Sequence, residues 1–133
     1  MEHIKKKVTD LMLKYETNNP FQIAKAKGIF IKYEILGDIM GYYSHLHRIQ
    51  IIHINETARA RERDFICAHE LGHALLHPDA NTPFLKRHTL YHVDWIEQEA
   101  NYFAKELLFA NKTITSSEIV NDYGVPYDVA KNF

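Results

Sequence analysis

Cysteine is nearly absent from this chain, with Cys67 alone among 133 residues. No internal disulfide can form, and none is needed, because a domain of this length buries most of its apolar surface unaided. Cys67 sits within an apolar run and reads as a small buried hydrophobe rather than a reactive thiol. Excess charge is missing too. Sixteen basic residues against seventeen acidic ones leave a formal net charge of -1. No overall field draws the protein to nucleic acid or anionic lipid, and no basic stripe supports a nucleic-acid-binding regulator. No window approaches about 18 apolar residues, and the start, MEHIKKKVTDLMLKY, has no apolar stretch leading to a cleavage site. The expectation is a cytoplasmic protein with no membrane contact. Repeats, low-complexity tracts and Pro/Gly/Ser-rich linkers are also lacking, which points to one domain over 1–133.

What is present is periodic. Ile4, Val8, Leu11, Met12 and Tyr15 recur at helical spacing, predicting a helix over about 3–16. Asn19 and Pro20 open a short second helix as N-cap and first helical residue, and Gly28 ends it. IFIKYEI (29–35), IMGYYSH (39–45) and IQIIHI (49–54) are rich in the β-branched and aromatic residues of strands, and predict a three-stranded sheet. From about 57 to 77 the pattern turns helical, nearly apolar on every side after Phe65, and Pro78 stops it. An apolar circumference marks a central, buried helix. PDANTPFLKRHTLYHV (78–93) has no period and is long for a loop. DWIEQEANYFAKELLFA (94–110) then places Ile96, Ala100, Phe103, Ala104 and Leu107 on one helical face behind the N-cap Asp94. Two short helical pieces fill the tail, 111–133, punctuated by Gly124 and Pro126.

The central helix carries AHELGHALLH (68–77), three histidines and a glutamate among Ala, Leu and Gly. His69 and His73 stand four residues apart, so a helix sets both imidazoles on one face, close enough to share an ion. Imidazole nitrogen suits Zn²⁺, whose catalytic sites use three protein ligands and one water of lowered pKa; Glu70 is placed to accept that water's proton as general base. The flanking Phe65, Ile66, Leu71 and Leu75 argue against an exposed helix, and metal coordination is among the few ways to satisfy two buried histidines together. Leu76 and Asp79 stand where the longer metzincin pattern needs Gly and His. His77 lies a turn beyond His73 and about 80° round from His69, which suits a supporting position better than a third ligand.

The third ligand is expected from the helix over 94–110. Glu97 falls between Ala104 and Leu108 inside the apolar arc, where a carboxylate is costly without a cation. Glu97 is therefore the candidate, and Asn101, one turn on, is placed to hold a ligating histidine's other nitrogen. A capping box between Glu97 and Asp94 is the competing reading of the same residue. The expected fold is α+β: a small zincin-like domain, with a short, mainly antiparallel three-stranded sheet packed on the HExxH helix and a second, ligand-bearing helix.

AHELGHALLH, followed by EQEANYFAKELL starting 24 residues after His73, with NNPFQIAKAKGI upstream, resembles the ImmA/IrrE family of zinc metallopeptidases. The resemblance covers about residues 10–110, the core of the domain. It implies a gluzincin-like site holding one Zn²⁺ per chain, in which a glutamate and a polar residue four positions later match Glu97 and Asn101. It also implies cytoplasmic, site-specific cleavage of a helix-turn-helix transcriptional repressor, as in the anti-repressors of phages and mobile elements or in stress-response regulators. The chain departs from the family with LLFA (107–110) where LLMP is frequent, and the resemblance leads us to expect a reduced C-terminal partner-recognition segment.

A peptidase must lay out an extended substrate, and GYYSHLH (41–47) is the candidate edge strand for it, against the plainer reading of an amphipathic strand with a polar outer face. Tyr42, His45, Tyr91 and His92 are candidate substrate-binding or oxyanion-stabilising groups. A second reading, from another class, is a zinc-stabilised regulatory module that binds and displaces a repressor without cutting it. Glu70 separates the two, because a structural zinc site is closed, usually rich in Cys, and needs no base beside the metal.

Overall fold

The computed structural model describes residues 1–86 and 94–133. Helix α1 (Glu2–Tyr15) buries Ile4, Val8 and Leu11 along one stripe. Helix α2 (Pro20–Ala26) starts where Asn19 Oδ1 accepts the backbone N–H groups of Phe21 and Gln22, with Pro20 at the first helical position. Three strands follow, β1 (Phe30–Glu34), β2 (Ile39–Leu46) and β3 (Ile49–Asn55), then the central helix α3 (Ala60–Leu76). A two-residue strand β4 (Leu85–Lys86), helix α4 (Trp95–Phe109), and the tail helices α5 (Ser116–Tyr123) and α6 (Tyr127–Ala130) complete the α+β order.

Among the described residues the sheet has four strands where three were expected, in the order β1-β3-β2-β4. β4 is too short for any alternating pattern to betray it. β3 pairs antiparallel with β2 and parallel with β1, and β2 pairs antiparallel with β4. This corrects the edge-strand expectation for 41–47 at one end: β4 pairs with Ile39 and Gly41, so β2 is already covered there.

α3 is the hub, packed against β2 and β3 on one side and α4 on the other. Phe65, Ile66, Cys67, Ala68 and Leu71 have no exposed surface, as an apolar circumference demands. Two glycines set the close approaches. A Cβ on Gly41 would lie 2.5 Å from Ile66 Cγ2 and 2.7 Å from the His53 carbonyl oxygen. A Cβ on Gly72 would lie 3.2 Å from Phe103, so α3 and α4 meet across a residue with no side chain. That contact brings the face of α3 with His69 and His73 against the face of α4 with Glu97. Among the described residues, no helix is long and apolar enough to cross a membrane.

Candidate active site

The site forms where α3 faces α4. His69, Glu70 and His73 are all fully buried on α3, and their ligand atoms lie within 4.8 Å of one another. From α4, Glu97 Oε1 lies 2.7 Å from His73 Nε2 and Glu97 Oε2 lies 3.3 Å from His69 Nε2. Asp94 caps α4 through its own side chain, accepting the Ile96 N–H at 3.1 Å. The cap is thus made by Asp94 while the Glu97 carboxylate faces both histidines.

Each histidine is oriented from behind. His69 Nδ1 donates to Asn101 Oδ1 at 2.8 Å, which turns Nε2 toward Glu97. His73 Nδ1 lies 3.2 Å from His77 Nδ1, and His77 Nε2 donates to Glu99 Oε1 at 2.7 Å. His77 is buried, and the Trp95 ring packs perpendicular to it with ring centroids 5.6 Å apart.

The electrostatics follow from burial and from Glu97. Burial opposes charge on Glu97, but the neighbouring His69 and the hydrogen bond from His73 outweigh it and hold the carboxyl well below the usual carboxylate range. Burial also opposes charge on His69, yet the adjacent Glu97 carboxylate pushes it up to about 9. Burial and the neighbouring His69 lower His73 to about 4, against the Glu97 hydrogen bond. Glu70 has only weak compensation, and burial pushes its carboxyl up to about 8.

These residues fit a zinc ion. His69 Nε2 and both Glu70 oxygens are buried polar atoms with no hydrogen-bond partner, an arrangement that costs free energy unless something else satisfies them. Two imidazole nitrogens and a carboxylate match in type the three protein ligands of an open catalytic zinc site, and Glu70 Oε2 lies beside them, 4.0 Å from His69 Nε2. Ligands at about 2.0–2.1 Å from a tetrahedral centre are roughly 3.3 Å apart, the spacing found between His69 and Glu97.

The other candidates are scattered. Tyr42 points away from α3, because its neighbour Gly41 is the residue that faces Ile66. Its ring stacks on His53 at 4.0 Å, and the His53 nitrogens contact Ser44 and the Glu34 carboxylate. His45 lies beyond the C-terminal end of α3, where Nδ1 donates to the Pro78 carbonyl at 2.8 Å. Tyr91 and His92 fall outside the described residues. Sequence reasoning missed Tyr43, whose hydroxyl donates to the same Pro78 carbonyl at 2.6 Å. It also missed Glu99; the signal available was a third buried histidine, His77, that needs an acceptor.

Residues 24–132 match the peptidase family described as the IrrE N-terminal-like domain. The chain is 43% identical over 136 residues to "Uncharacterized immunity region protein 2" of Bacillus phage phi105, covering 96% of this chain and 86% of that one. It is 33% identical over 116 residues to "Metallopeptidase ImmA" of Bacillus subtilis (strain 168), covering 86% of this chain and 68% of that one. With its HExxH helix facing Glu97 and its match running over most of its length, the chain belongs to the ImmA/IrrE family of metallopeptidases.

Proposed function

We propose that this protein is a zinc-dependent, site-specific endopeptidase that acts in the cytoplasm on a helix-turn-helix repressor, as part of immunity control in a phage or mobile element. The observation that carries this reading is Glu70, fully buried beside two ligand-type histidines with neither oxygen hydrogen-bonded. A folded protein tolerates such a group where its chemistry is used. His69, His73 and Glu97 would hold one zinc, which supplies a water of lowered pKa and polarisation of the scissile carbonyl.

The chain's own groups do the rest. Asn101 keeps the His69 ring turned so that Nε2 faces Glu97. Glu70 would take the proton from the attacking water and return it to the leaving amine, the two-way task of a carboxyl buried beside the two histidines. A protein substrate in immunity control is supported by the phage relative, an immunity region protein, and by the relative named as a metallopeptidase.

The test is incubation of the zinc-loaded protein with helix-turn-helix repressors of the host genome, read by intact-mass spectrometry. Cleavage of one repressor at one bond by wild type, and none by a zinc-loaded Glu70→Gln variant, supports the reading. Displacement of uncut repressor from DNA by both proteins would replace it with the non-proteolytic module.

A further inference from the structure

Behind His73 runs a line of groups that the proposed chemistry does not require. His73 Nδ1 lies 3.2 Å from His77 Nδ1, His77 Nε2 lies 2.7 Å from Glu99 Oε1, and Glu99 Oε2 lies 3.6 Å from His3 Nε2 of α1. We propose that Glu99, acting through His77, is the positioning residue that sets the tautomer and orientation of His73 as a metal ligand. This rests on the metal site proposed above.

The argument is one of hydrogen-bond polarity. An ionised carboxylate only accepts, so Glu99 requires a proton on His77 Nε2. A neutral His77 then carries its lone pair on Nδ1 and accepts from His73 Nδ1–H. A zinc ligated at His73 Nε2 would replace the hydrogen bond that this nitrogen makes to Glu97 at 2.7 Å, and the His77 acceptor would then hold the one remaining His73 proton on Nδ1. Without the acceptor at the far end, His77 is free to carry its proton on Nδ1. It would then donate to His73 Nδ1 and move the His73 proton to Nε2, where it blocks ligation. His69 needs no such relay, because Asn101 Oδ1 accepts from it directly. The two ligand histidines are therefore fixed by different means, a neutral amide for one and a histidine–carboxylate pair for the other. The Trp95 ring packs perpendicular to His77, and His77 is only 7% exposed, so water competes weakly for these bonds.

The relay is tested with zinc-binding constants from competition against a chromophoric chelator, for wild type, Glu99→Gln, Glu99→Ala and a same-helix control, Glu106→Gln. Nitrogen-15 spectra of the imidazoles in the zinc-loaded proteins give the His77 tautomer. We expect zinc affinity about 10–100-fold weaker in both Glu99 variants, unchanged in Glu106→Gln, with His77 protonated on Nε2 in wild type. Wild-type zinc binding with Glu99 variants within twofold of it, or His77 protonated on Nδ1 in wild type, overturns the relay alone. A wild type that binds no zinc overturns the relay together with the metallopeptidase reading.

Discussion

Replacing Glu70 by glutamine should make the chelator-treated protein more stable while abolishing cleavage. Glu70 is fully buried, and neither oxygen has a hydrogen-bond partner. Burial holds its carboxyl at about 8 against an ordinary 4.5. The folded value lies above the unfolded one, so stability present below pH 4.5 is lost as pH rises through 8. At about 1.4 kcal/mol per pH unit, the loss reaches about 3 kcal/mol at pH 7. Glutamine has the same shape and no charge, so it escapes this cost. Its amide is left as poorly partnered as the protonated acid, so the net gain is about 2–3 kcal/mol. For a chain of this size that corresponds to roughly 10 °C in Tm. Thermal unfolding followed by circular dichroism in excess chelator, at pH 5, 6, 7 and 8, measures it. The gap between variant and wild type should nearly close at pH 5 and widen to pH 8. A gap independent of pH, or a variant less stable than wild type at pH 8, would refute the reasoning.

Two further predictions concern the scaffold. Gly41→Ala should cost at least about 3 kcal/mol or prevent folding, because the new methyl would meet Ile66 at 2.5 Å and the backbone oxygen of His53 at 2.7 Å; chemical denaturation measures it. Cys67, buried and with its thiol pushed well up by burial and then by Asp64 and Glu70, should resist a thiol-specific disulfide reagent in the native protein and react fully in denaturant.

The central helix, its neighbours and the spacing of the HExxH motif were legible because helical periodicity is local: positions four apart meet whatever else the chain does. The place of Glu97 followed from the same periodicity, which puts it inside the apolar arc of α4, and the structure sets its carboxylate against His69 and His73. Asp94 was readable as a cap from its place before the periodic run. What stayed hidden depends on contacts between distant segments. The parallel pairing of β1 with β3, the two residues of β4, and the reach of Glu99 to His77 are set by how α3, α4 and the sheet pack. The face that Tyr42 takes was hidden for the same reason, because alternation fixes that it opposes Gly41 but not which of the two faces α3.

The most direct test of the central claim is elemental analysis of the purified protein, comparing wild type with Glu70→Gln and Glu97→Ala. About one zinc per chain in wild type and Glu70→Gln, with zinc lost from Glu97→Ala, is the predicted result. It would separate the ligands from the base. No zinc in wild type after reconstitution, or undiminished zinc in Glu97→Ala, would contradict the site described for α3 and α4.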